Sequence, residues 1–164
     1  MEQVLFYKLA GTYGSFGNFS KHPVEYKGLK GKTSEHVFQA MKFYPNHPDL
    51  VQMVLDKGTP KESALAGRDK SLPLRKDWEL IIPSYMDGTP IRKTKDLIMY
   101  EILKEKFTAY PELTELLIST RGKVIIEDSP IDYYWGWGAD HTGINMLGMI
   151  LMFVRDVYFA GWQV

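Results

Sequence analysis

Residues 33–43, TSEHVFQAMKF, set apolar side chains at Val37, Phe38 and Met41 against polar ones at Glu35, Gln39 and Lys42. Positions i, i+4 and i+7 share one stripe of a helix, so the three polar side chains point the same way. That stripe is either a wet surface or the wall of a site. Thr33 or Ser34 is placed to cap this helix, which stops before Pro45 or soon after Tyr44. A second helix is expected over 48–57, with Leu50, Val51, Val54 and Leu55 as its apolar face, and a short third over 61–68, ending near Gly67. Residues 93–108 repeat the helical period at Leu97, Ile98, Ile102, Leu103 and Phe107. Another helix covers 112–119. The last is expected over 142–158, with Asn145 near its start and Met146, Leu147, Ile150, Leu151 and Val154 packing inward.

The remaining pattern is extended or irregular. Aromatics, glycines and Pro23 between residues 3 and 29 suggest short extended pieces and turns, and VEYKGLKGK reads as a small hairpin. Residues 123–127 form a short buried strand. The segment GRDKSLPLRKDW is irregular and charged. Asp77 is placed to cap a helix through Trp78 and Ile82, but the two prolines and glycine of IPSYMDGTP favour a loop. No internal repeat or low-complexity segment appears. The class is therefore mainly α with a minor β component, in one compact helical domain over residues 1–164.

Composition narrows the function classes. A chain of 164 residues with 45% hydrophobic side chains suits one domain with its own core. Twenty Lys and Arg balance twenty Asp and Glu, so no long-range attraction to a polyanion is built in, and any contact with nucleic acid comes from a local patch. Cysteine is absent, which removes disulfides, thiolate nucleophiles and thiolate metal sites. The first residues, MEQVLFYKLAG, do not read as a signal peptide, and the apolar run at 146–154 is far shorter than the roughly 20 residues a membrane crossing needs. A cytoplasmic, soluble protein is expected.

Two places carry candidate chemistry. Glu35 sits in the first turn of its helix, where the macrodipole and unpaired amides favour a carboxylate suited to act as base, nucleophile or cation stabiliser; first-turn Glu is also simply a favoured helix starter. In EDSPIDYYWGWG, three carboxylates flank a proline turn followed by two Trp around Gly136. Carboxylate and aromatic faces on one loop suit a ribosylated heterocycle, because rings stack and a developing sugar cation wants negative charge nearby. The other reading has Trp135 and Trp137 plugging the core. Arg68, Lys70, Arg75 and Lys76 surround Trp78 and suit a phosphate beside a base, though Asp69 and Asp77 dilute the patch. His22, His36, His47 and His141 lack metal-ligand spacing, and no P-loop, GxGxxG or GxSxG is present.

Five stretches taken in order, YGSFGNF, TSEHVFQAMKF, GRDKSLPLRKDW, IEDSPIDYYWGWG and GINMLGMILMFVR, resemble the motifs of the YbiA-like, or NADAR, superfamily, from Phe6 to Arg155. The resemblance implies a compact, mainly helical N-glycosidase domain, and the missing metal and nucleotide motifs leave a site built on carboxylates and aromatics, expected to act without metal or cofactor. Its expected substrates are riboflavin-pathway aminopyrimidine ribose phosphates. The alternatives are ADP-ribose on guanine bases or derived from NAD, with nucleic acid only as a modified substrate, or a non-catalytic ADP-ribose or nucleotide-binding module. The family's key Glu, Trp and Asp fall on Glu35, Trp78 and Asp132. On that basis Trp78 and Trp135 are expected as aromatic walls, Asn18, Gln39 and Asn145 as hydrogen-bonding partners of the ribose or base, and Lys42 and Arg68 as phosphate holders, with Gly136 in the substrate loop. One departure is IIPSYMDGTPIRKTKD, residues 81–96, an addition beside Trp78 placed either to reshape the pocket or to sit as a surface insertion.

Overall fold

Thr33 turns the chain from a hairpin into its first helix. The computed structural model describes residues 1–83 and 87–163. Strands β2 (Val24–Tyr26) and β3 (Leu29–Gly31) pair antiparallel through the Lys27–Gly28 turn, as VEYKGLKGK suggests. Helix α1 (Ser34–Ala40) follows at once, its first turn closed by the Thr33 hydroxyl accepting from His36 N. Helices α2 (Pro48–Leu55) and α3 (Pro60–Gly67) pack against it, each opened by a proline that needs no hydrogen-bond partner at that position. In α3, Thr59 and Glu62 close a capping box.

The longest helix, α4 (Thr94–Ala109), is the axis of the core. It buries Ile98, Met99, Tyr100, Ile102, Leu103 and Phe107 and packs on β2, α1, α5 (Pro111–Ile118) and α6 (Met146–Phe153). Each fully buried Leu, Ile or Phe contributes roughly 1.5–3 kcal/mol of transfer free energy, so this helix fixes the relative places of its neighbours. Helix α6 is apolar on nearly all sides because it is sandwiched between α4 and strand β4 (Val124–Glu127).

Two elements depart from the sequence expectation. The last helix starts at Met146, four residues later than its pattern suggests, because Asn145 adopts φ +57° and breaks the helical run; beyond Phe153 the turn widens to π geometry through Tyr158. Strand β4 finds its partner at the far end of the chain. It runs parallel to β1 (Gln3–Phe6), with Gln3 opposite Val124 and Phe6 opposite Glu127. A 3-10 turn, Gly14–Phe16, then leads Phe16 into the core beside Phe6 and Phe107.

The residues around Trp78 form a loop rather than a helix. Its stem is closed by backbone bonds, Lys95 N to Trp78 O and Thr94 N to Leu80 O, and by a bridge between Ile81 and Lys93. Residues 84–86 of the expected loop lie outside the described residues. Among the described residues no helix is long and apolar enough to cross a membrane.

Candidate active site

The N-terminus of α1 is held from below by Asn18. The Asn18 carbonyl accepts from Glu35 N at 3.1 Å, its side-chain oxygen accepts from the Ser34 hydroxyl at 2.8 Å, and its amide reaches the Met99 sulfur. Asn18 thus satisfies the orphan amide of the first turn and fixes the backbone that carries Glu35. The Glu35 side chain is only 6% exposed, and its Oε1 accepts from Gln39 Nε2 at 2.7 Å, one turn along the helix. Burial pushes the Glu35 carboxyl above its ordinary range; the Gln39 amide and the charges of Arg68 and Lys42 pull it back, and Asp132 adds to the rise. The Glu35 and Gln39 part of the polar stripe is therefore buried, not wet, and Lys42, just past the end of α1, is half-buried.

Helix α3 supplies the opposite side. A Cβ on Gly67 would lie 2.2 Å from Gln39 Oε1, so only glycine lets α1 and α3 approach closely enough to seat Gln39. The Gly67 carbonyl accepts from Lys42 Nζ at 3.0 Å, and the same ammonium stands 5.8 Å from the Trp78 ring. Burial pulls Lys42 down to about 8, opposed by the Glu35 charge. Arg68, next in the chain, is exposed and lies within electrostatic reach of both.

The third side is the loop between β4 and α6. Asp132 accepts through Oδ1 from Tyr134 N at 2.9 Å and Trp135 N at 2.7 Å, while its own amide donates to the Ser129 hydroxyl. This Asx turn folds the loop over the start of α6. There the Tyr134 and Trp135 carbonyls accept from Met146 N and Leu147 N, two of the amides a helix start leaves free. Gly136 presses onto β4: a Cβ there would sit 2.8 Å from the Glu127 carbonyl. Asn145 spends its whole amide on the same strand, accepting from Glu127 N and donating to Ile125 O, both at 2.9 Å. Gly136 and Asn145 thus build the loop's scaffold. Trp137 likewise faces structure, donating to Asp128 and stacking on His141.

Phe38 stands between Trp78 and Trp135, 5.1 Å from the Trp78 ring and 5.3 Å edge-on to Trp135. Trp78 is 5% exposed and belongs to the core, whereas Trp135 is half-buried. Behind them, Tyr134 donates to Asp96 at 2.6 Å and lies under Lys95, so the stem of residues 81–96 is fastened to the Asp132 loop.

Glu35, Gln39, Lys42, Arg68, Trp78, Asp132 and Trp135 therefore gather around the contact of α1 with α3 and the β4–α6 loop. The sequence pattern marks Glu127 only as one of the three carboxylates flanking the proline turn and gives it no role of its own. Its carboxyl is raised to about 8, mainly by burial and further by the Asp132 and Glu35 charges. The available signal was the strand period, which places Glu127 on the same face as fully buried Ile125. Among the described residues no group of three or more His, Asp or Glu side chains is arranged to hold a metal ion.

The NADAR domain pattern matches residues 5–157, almost the whole of this arrangement. The chain belongs to the NADAR family. Its NADAR domain is 36% identical over 152 residues to N-glycosidase YbiA of Escherichia coli, covering 92% of this chain and 85% of that protein. It is 34% identical over 154 residues to an N-glycosidase of Nostoc punctiforme, covering 93% and 90% of the two chains. It is also 38% identical over 166 residues to the chloroplastic riboflavin biosynthesis protein PYRR of Zea mays, of which the match spans 25%. The NMR structure of Escherichia coli YbiA superposes with a TM-score of 0.81 at 33% identity, covering 98% of this chain and 86% of that one. The mainly helical NADAR fold expected from the sequence is thus the fold observed.

Proposed function

We propose that this protein is a metal-independent N-glycosidase that hydrolyses the bond between C1′ and a ring or amino nitrogen in a phosphorylated riboside. The substrate class we favour is the aminopyrimidine ribose phosphates of riboflavin synthesis. The observation that carries the reading is the convergence of the Glu35 and Asp132 carboxylates, on separate elements, beside the Lys42 and Arg68 cations. The names of the bacterial relatives support the bond type, and that of the maize relative supports the substrate class.

The chemistry follows from charge. As the C1′–N bond breaks, the ribose becomes oxocarbenium-like, and a carboxylate beneath it stabilises the developing positive charge. Glu35 Oε1 is held by Gln39 and Asp132 Oδ1 by two backbone amides, which leaves one oxygen of each carboxylate outside those bonds. One carboxylate stabilises the sugar cation and the other orients and deprotonates water. Trp135 offers a partly open aromatic face for the base. Lys42 and Arg68 attract the 5′-phosphate, whose dianion matches their combined charge.

The test is incubation of the protein, in EDTA, with the aminopyrimidine riboside phosphate and separately with ADP-ribosylated guanine DNA, followed by mass spectrometry of released sugar. Release of ribose phosphate, abolished in Asp132→Asn, is expected. Release of ADP-ribose alone would move the substrate to the ADP-ribose class, and saturable binding without release of either would replace the enzyme with a binding module.

A further inference from the structure

Glu127 is the one titratable side chain among the described residues with a buried oxygen that nothing bonds. Three buried side-chain atoms lack a partner: Gln39 Oε1, Ser63 Oγ and Glu127 Oε2. The first two belong to neutral groups. A carboxylate oxygen left without a donor is far more costly, because burial removes its water and supplies no hydrogen bond in return. The surroundings sharpen the problem. The charged groups that face it are the carboxylates of Asp132, from its own loop, and Glu35, from α1. Lys42 and Arg68 act on Glu35 instead.

Its neighbours have other employment. Asp128 accepts from the Trp137 indole, and Asp96 accepts from Tyr134 and two backbone amides. Glu127 makes no such bond through its side chain, yet its backbone is fixed at both ends: its amide donates to Asn145 and its carbonyl accepts from Trp137 N. A rigid strand end thus presents a carboxyl group at the carboxylate pair without tying it down. The neutral acid removes the charge conflict and gives Glu127 a hydrogen to donate.

We infer that Glu127 is the proton donor to the leaving group, delivering its carboxyl hydrogen to the departing nitrogen as the C1′–N bond breaks. This rests on the N-glycosidase reading above and assigns a third catalytic residue to it. The bonding pair of C1′–N passes to nitrogen, which takes the proton from Glu127. Water then adds to C1′ and loses its proton to Glu35 or Asp132, which releases it to solvent as solvent returns a proton to Glu127. The net change is hydrolysis. Glu35, with an amide donor and two cations nearby, and Asp132, with two backbone donors, suit the negatively charged roles, while Glu127, facing only like charge, suits the acid role.

Leaving-group chemistry separates this role from a structural one. Glu127→Gln is compared with wild type on the aminopyrimidine riboside phosphate and on 4-nitrophenyl riboside 5-phosphate, whose phenolate departs without a proton. The inference expects a fall in kcat of about 10²–10⁴-fold on the amine-leaving substrate and less than about tenfold on the nitrophenyl one. Equal losses on both, or near-wild-type turnover of the first, would overturn it. In wild type kcat/KM falls as pH rises through about 8, as Glu127 loses its proton. Lys42 titrates in the same range, so the Glu127 limb is the one kept in Lys42→Gln and lost in Glu127→Gln.

Wild type inactive on both substrates would remove the riboside-phosphate reading and this role together, whereas failure confined to the variant comparison concerns Glu127 alone. If Glu127→Gln does not fold, infrared difference spectra of wild type decide. A carboxylic-acid C=O band lost between about pH 6 and about pH 9, and still present in Glu35→Gln, upholds the acid form of Glu127, and carboxylate bands unchanged over that span overturn it.

Discussion

Gln39 Nε2 lies 2.7 Å from Glu35 Oε1, and among the described residues this amide is the one side-chain hydrogen bond holding that buried carboxylate. Burial raises Glu35, and Gln39 opposes the rise by bonding the charged form. A carboxylate that works ionised loses activity as pH falls through its pKa. Gln39→Met keeps the volume and removes the donor, so the acid limb of kcat/KM moves to higher pH. At neutral pH kcat/KM falls roughly tenfold, the equivalent of a net hydrogen bond to a charged group. A pH profile with its acid limb unmoved would remove Gln39 from the support of Glu35.

Gly67 acts on the same bond from another helix. An alanine Cβ would stand 2.2 Å from Gln39 Oε1 and 2.8 Å from its Cβ, so Gln39 must shift away from Glu35. Gly67→Ala is expected to cost about 1–3 kcal/mol of stability and to reproduce the kinetic loss of Gln39→Met, although position 67 carries no functional group. Because both changes break one contact, the double variant loses less activity than the product of the two single losses. Independent, multiplying losses would show that Gly67 acts elsewhere.

These residues also mark how far the sequence could be read. The helices at 48–55, 94–109 and 111–118 fall within two residues of their periodic patterns, because each has one buried face and a proline or polar start. The Glu35, Gln39 and Lys42 stripe was visible as a spacing, but whether it was wet or walled depended on α3 lying over it, a contact no local pattern encodes. Asn145 was expected at the ligand for a related reason. Its residue type suits a ribose, and its left-handed backbone and its two hydrogen bonds to β4 appear only in three dimensions. Glu127 was visible as one of the loop carboxylates, but not its place: the parallel pairing of β1 with β4 joins segments separated by nearly the whole chain, and that pairing sets the strand end that carries it.

Lys106 is fully buried with its ammonium 2.7 Å from Ser15 O, 2.9 Å from Gly17 O and 2.7 Å from the Ser20 hydroxyl. Burial pulls it down to about 7, while three oxygens match the three hydrogens of the charged form. The loop it holds carries Asn18, the clamp on the Glu35 backbone. Lys106→Met fills the volume but takes the ammonium from all three oxygens, leaving Ser15 O with the Ser20 hydroxyl at 3.3 Å, Gly17 O with Ser20 N at 3.4 Å and the Ser20 hydroxyl with His22 at 3.1 Å, and the expected cost is about 2–4 kcal/mol. Urea unfolding reads that loss, and Ser20→Ala, which removes one acceptor, should lose less than half as much.

Asn145→Ala separates scaffold from ligand contact. The change strips the acceptor of Glu127 N and the donor to Ile125 O, and it leaves an alanine at φ +57°, where asparagine is tolerated and alanine is not favoured. A loss of about 2–3 kcal/mol should lower Tm by about 5–10 °C. If the amide only braces β4, the kinetic defect lies in kcat, through displacement of the Glu127 end of the strand, and KM for the riboside phosphate stays near wild type. A rise in KM with Tm unchanged would return Asn145 to the substrate, because a residue that touches ribose without holding the fold weakens binding and leaves unfolding alone.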